Sequence, residues 1–124
     1  MDGHNLRMLI VRRMNPLLMP RGYARKNTNW DRHKGRVTTA VFMDFGTRLI
    51  VVQLGRFDRT VHRETHPERY VAKELVGMWA LIPEHDGWNA SRRYQEWTVE
   101  SDADRLIELI TVYGLPRLAT FESA

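Results

Sequence analysis

The chain contains no cysteine among its 124 residues. It can therefore form neither a disulfide nor a thiolate metal site, and no thiol can act as a nucleophile. It also lacks any apolar run near the roughly 20 residues that a membrane-spanning helix requires. Residues 1–5 have neither the basic start nor the apolar stretch of a signal peptide. These absences predict a cytoplasmic protein.

Motifs for nucleotide and ester chemistry are missing as well. The chain has no glycine-rich phosphate-binding loop and no Gly-x-Ser-x-Gly turn. The triplet Asp44-Phe45-Gly46 matches a kinase motif, but the other kinase signatures are absent, so we interpret it as a hairpin turn. We expect no catalytic residue and no cofactor; an enzyme with an unrecognised site is one alternative.

Two histidines, His62 and His66, have the spacing that brings side chains to one face of a helix. Together with Glu64 they could share a zinc ion. The glutamate is, however, one position away from the zincin order His-Glu-x-x-His, and Pro67 disfavours a helix through both histidines. Exposed loop histidines are the better interpretation, and we predict no metal site.

What is present is typical of a single globular domain. Hydrophobic residues make up 43% of the chain and charged residues 27%, and the length is sufficient for a core without disulfides. The net charge of +4 is uneven, because residues 1–36 contain nine Arg or Lys against two acids, whereas residues 37–124 contain ten against thirteen. Such asymmetry occurs at surfaces that bind nucleic acid or acidic partners, although solvated charges are the simpler explanation.

The segment that organises the chain consists of two apolar runs, residues 37–45 and 47–54, separated by Gly46. Both runs are rich in β-branched and aromatic residues, which favour strands. A tight turn at Phe45-Gly46 predicts an antiparallel hairpin in which Val41 faces Ile50. Alternation then places Val37, Val41, Ile50, Val52 and Leu54 on one face, and Ala40, Phe42, Leu49 and Val51 on the other.

Helices are predicted at both ends of the chain. Apolar residues recur at helical spacing over residues 6–18, and Pro16 is expected to break or kink this helix. Near the C-terminus, Ser101 is the predicted N-cap of a second helix, and Gly114 with Pro116 is expected to end it.

Further strands are predicted around the hairpin. Residues 28–33 form a first strand that turns near Gly35. Residues 70–82 are assigned to a fourth strand because apolar residues alternate, although Pro67 could instead open a helix. Residues 97–99 could add an edge strand. The predicted fold is α+β: an antiparallel meander of four to five strands, with an N-terminal and a C-terminal helix packed on one face.

Short motifs recur along the chain in an order that resembles a known family. They are Leu17-Leu18, Gly22-Tyr23, Trp30, and residues 52–55, 81–83, 97–99 and 113–116. The family consists of small, mostly bacterial proteins known as domain of unknown function 4304. The chain differs from it by a single tryptophan at Trp97, where the family is expected to have a pair, and by a longer insert at residues 89–95. The resemblance implies a compact α+β fold over nearly the whole chain and supplies no catalytic residue.

Two apolar sheet faces, with helices sufficient to cover only one, predict an uncovered patch and hence a protein partner or a homodimer. The candidate contact residues are Phe42 and Leu49 on the sheet, and Trp88, Arg92, Arg93 and Tyr94 in a later loop. Aromatic and arginine side chains of this kind are enriched at binding hot spots. The leading hypothesis is a small non-catalytic binding module, toxin-neutralising or regulatory in role, with no membrane partner.

Nucleic-acid binding through residues 23–36 is the alternative hypothesis. The cations Arg25, Lys26, Arg32, Lys34 and Arg36 would neutralise phosphates, while Tyr23 or Trp30 would stack on a base. If Trp30 instead packs against the sheet, the cations are ordinary solvated surface groups.

Overall fold

A computed structural model describes residues 3–46, 49–58, 66–83, 92–93 and 99–123. Three helices occur in these ranges: α1 (Gly3–Leu18), α2 (Val99–Leu109) and α3 (Leu115–Ser123), with a π-helical turn at Ile110–Gly114 between the last two. The strands are β1 (Ala24–Lys26), β2 (Asn29–Lys34), β3 (Val37–Phe45), β4 (Leu49–Asp58), β5 (Glu74–Gly77) and β6 (Arg92–Arg93). No helix in the described ranges combines the length and apolar character needed to cross a membrane.

Strands β1 to β5 form an antiparallel sheet in which each strand pairs with the next along the chain. Strand β6 pairs with the beginning of β4. Helix α1 packs on α2, and α3 packs on β3 and β4, so the helices lie on one side of the sheet, here called the helix face. The predicted α+β fold with terminal helices on one face is confirmed.

The helix face is apolar because alternation brings every second residue of β3 and β4 to this side. Val41 pairs with Leu54, Met43 pairs with Val52, and all four side chains are buried. The helices contribute Ile10, Met14, Leu18, Leu106, Ile110, Leu118 and Phe121 to the same cluster. Burying a large apolar side chain contributes about 1.5–3 kcal/mol, so helix packing is the main support of the sheet.

The hairpin of β3 and β4 differs from the prediction in its register. Val41 pairs with Leu54 rather than with Ile50, a displacement of four positions along β4. Phe45 pairs with Ile50, so the predicted tight turn is wrong; residues 47–48 lie outside the described ranges. Because the displacement is an even number of residues, the predicted division of side chains between the two faces is kept.

Helix α1 passes through the proline that was expected to interrupt it. It begins at Gly3 and ends at Leu18, with Pro16 in its last turn. Met14 and Leu18 on either side of the proline are both fully buried. Their packing outweighs the one backbone hydrogen bond that the proline removes.

The C-terminal helix also continues past its predicted end. A π-helical turn takes the chain through Gly114, and Pro116 lies in the first turn of α3, where proline is tolerated. A Cβ atom on Gly114 would lie 3.2 Å from Ile110 Cγ2 and 3.3 Å from Met78 Sδ. This glycine therefore permits close packing and does not end the helix.

Several strand boundaries differ from the prediction. The predicted strand at residues 28–33 corresponds to β2, but the short strand β1 before it was not predicted. The predicted strand at residues 70–82 is reduced to β5, which lies between single 3-10 turns at Arg69–Val71 and Met78–Ala80. Val99 begins α2, two residues before the predicted cap Ser101, so a strand at Val99 is wrong.

The second face of the sheet is covered by residues 66–73, here called the cover segment. The small apolar cluster on this face consists of Ala40, Phe42 and Phe57 of the sheet with Val71 and Ala72 of the cover segment. Phe42 is 2% exposed, so the prediction of an uncovered apolar patch at Phe42 is wrong. The backbone N–H of Lys73 donates to the Arg56 carbonyl at 2.8 Å, which holds the end of the cover segment on β4.

A buried carboxylate holds α3 on the helix face. The Glu122 side chain is 6% exposed and accepts hydrogen bonds from Arg32 Nε at 3.0 Å and from Thr39 Oγ1 at 3.2 Å, with Lys34 Nζ at 3.5 Å. The Tyr23 hydroxyl lies 2.9 Å from Thr39 Oγ1, and burial raises the pKa of Tyr23. Two cations of the basic segment thus neutralise an internal carboxylate.

The contact between the two aromatic rings of the second face and β4 generates a test of this packing. A Cβ atom on Gly55 would lie 2.9 Å from Phe42 Cε2 and 3.4 Å from Phe57 Cε2, and both rings are buried. We expect Gly55→Ala to lower the free energy of unfolding by about 1–3 kcal/mol in urea denaturation, because the rings cannot move aside freely. The control is Gly35→Asn, since Gly35 has a φ of +62° in open space and asparagine tolerates that conformation. Equal losses in the two variants would contradict this packing.

Candidate functional site

A buried acid–histidine pair joins β2 to the cover segment. Alternation along β2 directs Trp30 to the helix face and Asp31 to the second face. The Asp31 side chain is 5% exposed, and its Oδ2 lies 2.5 Å from Nδ1 of His66. A carboxylate buried to this extent requires a partner, and His66 supplies it.

The backbone of His66 adopts an unusual conformation. Its φ is +59°, in the left-handed region that non-glycine residues rarely occupy. The following residue is Pro67, which disfavours the right-handed helical region for the residue before it. Such backbone conformations persist where surrounding contacts hold them, and they concentrate at functional sites.

A polar cavity of about 200 Å³ lies beside this pair and is here called the His66 cavity. It is lined by Lys26, Asn27, Asn29, Asp31, His66, Pro67 and Glu68. The side-chain oxygen of Asn29 is buried and has no hydrogen-bond partner among the described residues. A buried acceptor without a partner costs free energy, so it favours a ligand or water that donates a hydrogen bond there.

The Asp31–His66 bond determines which ring nitrogen is available. When Nδ1–H donates to the Asp31 carboxylate, Nε2 of the neutral imidazole becomes a hydrogen-bond and proton acceptor. The His66 side chain is 22% exposed, so it is accessible from the cavity while its other nitrogen is held. A carboxylate that fixes the tautomer of a histidine is the arrangement that general bases and ligand-binding histidines use.

A second ion pair anchors the cover segment farther along. Both terminal nitrogens of Arg69 donate to the Asp44 carboxylate, and Nη1 also donates to Gln53 Oε1 at 2.7 Å. The guanidinium carbon lies 5.5 Å from the centroid of the Phe42 ring. The hydrogen bond to Asp44 raises the pKa of Arg69. Arg69 therefore closes the second face over Phe42 with a fixed positive charge.

A separate cavity of about 340 Å³, here called the Arg25 cavity, lies on the other side of the β1–β2 turn. It is lined by Arg7, Met8, Arg25, Asn27 and Thr28. Asn27 lines both cavities and adopts a left-handed turn conformation with a φ of +55°. The Nη1 group of Arg25 donates to the Asn27 carbonyl at 2.7 Å, which fixes the arginine beside the cavity.

The residues predicted to bind nucleic acid do not form one surface. Tyr23 and Trp30 are 3% and 0% exposed, and Trp30 Nε1 donates to Asn15 Oδ1 at 3.0 Å, so neither ring can stack on a base in this fold. Arg32 and Lys34 lie beside Glu122, as described above. The exposed cations are Arg25, Lys26 and Arg36, of which Arg25 and Lys26 line different cavities.

The residues predicted to bind a partner are mostly outside the description. Phe42 is buried beneath Arg69. Leu49 belongs to β4, and Arg92 and Arg93 form β6, but the side chains of these three residues are not among those described. Trp88 and Tyr94 also lie outside the described residues. A partner surface at these five positions stays a prediction.

The zinc alternative falls largely on residues that the structure does not describe. His62 and Glu64 lie outside the described ranges, and His66 uses Nδ1 in the bond to Asp31. Within the described ranges no group of three or more His, Asp or Glu side chains is arranged to hold a metal ion. The predicted absence of a metal at His62, Glu64 and His66 stays a prediction.

Sequence reasoning missed the pairing of Asp31 with His66. The two residues are 35 positions apart, and no spacing rule connects them. One signal was present: Asp31 faces the same side of the sheet as Ala40 and Phe42, so an acid in this register is buried and needs a partner.

Comparisons of the chain with models of protein families, with curated proteins and with solved structures found no match. The resemblance to domain of unknown function 4304 therefore stays a prediction. No relative supplies a role for either cavity, so both are interpreted from their own chemistry.

The anchoring of the cover segment by Arg69 generates a second prediction. In a double-mutant cycle of Arg69→Ala and Asp44→Ala, we expect a coupling energy of about 1 kcal/mol or more, because the bidentate bond is charge-assisted. Free energies of unfolding from urea titrations provide the measurement. The comparison cycle uses the exposed pair Arg13–Asp104, for which we expect less than about 0.5 kcal/mol. Similar coupling in the two cycles would contradict a special role for Arg69.

Proposed function

We propose that this protein binds a small polar ligand in the His66 cavity, with Nε2 of His66 as a hydrogen-bond acceptor. The single observation that carries the proposal is the buried Asp31 carboxylate that holds Nδ1 of His66 at the cavity wall. This arrangement supports binding because the imidazole is already oriented before a ligand arrives, which reduces the entropic cost of binding.

The chemistry of the cavity favours a ligand that donates hydrogen bonds. The acceptors are Nε2 of His66, the buried oxygen of Asn29 and the carboxylate of Glu68, whereas the only cation of the lining is Lys26. A ligand with N–H or O–H groups, such as an amine or an amide, satisfies these acceptors. A volume of about 200 Å³ limits the bound part of the ligand to a small molecule or a terminal group.

The experiment is ligand-observed NMR with small amines, amides and polyols, followed by titration of the ¹⁵N-labelled protein. We expect at least one compound to shift the amides of Asn29 and Glu68. His66→Asn should weaken that compound by about tenfold, since it removes one acceptor while asparagine tolerates the left-handed backbone.

The matched control for this experiment is His33→Asn. His33 lies on the same strand and face as Asp31, and its Nδ1 is 2.5 Å from Thr38 Oγ1, but it does not line the cavity. Binding should be unchanged in this variant. Absence of any compound that shifts Asn29, or equal weakening in the two histidine variants, would contradict the proposed function.

An interaction module remains the second candidate, and one observation favours it. Tyr70, Leu75 and Trp79 are large apolar residues with exposed fractions of 80%, 41% and 39%. Tyr70 belongs to the cover segment, and Leu75 faces the same side of the sheet, since it pairs with Gly55 and lies near Phe42 and Phe57. Exposed aromatic residues of this kind act as anchors at protein interfaces.

Capture from a native lysate on the immobilised protein tests this second candidate. If the exposed aromatic residues bind a protein partner, Trp79→Ala and Tyr70→Ala should each reduce the captured protein at least about fivefold, as expected for hot-spot residues. Val112→Ala is the control, because Val112 is 54% exposed and lies in the π-helical turn beside the helices. A partner that binds all three variants equally would exclude this surface.

A further inference from the structure

We infer that the Arg25 cavity is a binding site for a small organic phosphate, a phosphate monoester with an apolar body. This site is distinct from the His66 cavity in its charge, and the inference does not depend on the ligand proposed there.

Three separate parts of the chain build the Arg25 cavity. Arg7 and Met8 come from the first turns of α1, Arg25 comes from β1, and Asn27 with Thr28 forms the turn between β1 and β2. Arg7, Arg25 and Asn27 are exposed, so the cavity is accessible from solvent. Its volume of about 340 Å³ is in the lower range of small-molecule pockets.

The charge of this cavity is of one sign. Its lining contains two guanidinium groups and no carboxylate, whereas the His66 cavity contains Asp31 and Glu68. Two cations beside one cavity repel each other, and an anion between them removes that repulsion. A phosphate monoester carries a charge of about −1.5 to −2 and three acceptor oxygens, so it can pair with both arginines at once.

One of the two arginines is held in place before any ligand binds. The bond from Arg25 Nη1 to the Asn27 carbonyl leaves Nε and Nη2 as donors. The left-handed backbone of Asn27 belongs to the turn that carries this carbonyl. A guanidinium with a fixed orientation loses less side-chain entropy when it binds a phosphate. Asn27 and Thr28 add polar groups at the same edge.

The remaining surface of the cavity is apolar. Met8 is partly buried and its thioether lies at the cavity, beside the methylene stems of two arginines. Such a surface is suited to the hydrocarbon or aromatic part of a ligand and not to inorganic phosphate alone.

The structure favours a single small ligand over a nucleic-acid strand. A strand-binding surface needs a continuous row of cations and aromatic rings on which bases stack. Here Tyr23 and Trp30 are buried, and Arg32 is paired with Glu122. What remains of the basic segment near Arg25 is one cavity and not an extended groove.

The experiment is a titration of the ¹⁵N-labelled protein with phenyl phosphate, followed by amide shifts of Met8, Asn27 and Thr28. Phenol and inorganic phosphate are titrated separately, and we expect both to bind more weakly than phenyl phosphate. Arg7→Gln and Arg25→Gln should each weaken phenyl phosphate by about tenfold, because each removes a charge-assisted pair. The two exposed positions are independent tests if one substitution disturbs folding, which the same spectra reveal.

Arg36→Gln is the matched control, since Arg36 is an exposed cation of the same basic segment that lies in the turn between β2 and β3. Its effect on phenyl phosphate should stay within about twofold. Equal weakening by all three variants, or no shift of Asn27 and Thr28 by phenyl phosphate, would overturn the inference. Binding of a thymidine oligonucleotide without binding of phenyl phosphate would also overturn it and assign the surface to nucleic acid. Loss of binding in the His66 cavity has no bearing on this result.

Discussion

Strand β3 is buried from Val37 to Met43, on both of its faces, and the rest of the chain must therefore cover the sheet twice. Three helices provide one cover through a large apolar cluster. The other cover is the short segment at residues 66–73, which contributes only Val71 and Ala72 to apolar packing. Because two small apolar residues bury little area, this segment depends on Asp31 and Asp44 to hold it.

The candidate site follows from how the cover segment is attached. A carboxylate on a buried strand face has to be neutralised or hydrogen-bonded, and the chain solves this with a histidine from the segment that covers it. The same bond that attaches His66 also orients its ring toward a polar cavity. Structural support and ligand chemistry thus share one pair of residues, which explains why a strained backbone is retained at His66.

The sequence was sufficient for those features that depend on period. The faces of β3 and β4, the terminal helices and the α+β class all follow from alternation or helical spacing. The hairpin register was wrong by four positions, yet the faces were correct because side chains alternate with a period of two. Pro16 and Gly114 were misread as helix ends because tertiary packing around Met14 and Ile110 outweighs local preference. Neither cavity could be predicted, since Asp31 meets His66, and Arg7 shares a cavity with Arg25, only in three dimensions.

The unequal strength of the two covers has a consequence for motion. Segments with few buried apolar contacts open locally at a lower free energy than the core, so the sheet is expected to become accessible from the second face first. The His66 cavity lies on the boundary between β2 and this segment, with Asp31 on one side and His66 and Glu68 on the other. A ligand that contacts both sides binds only the closed form, and it therefore raises the free energy of opening as its concentration rises above its dissociation constant. Ligand binding and the closing of the second face are in this way one equilibrium.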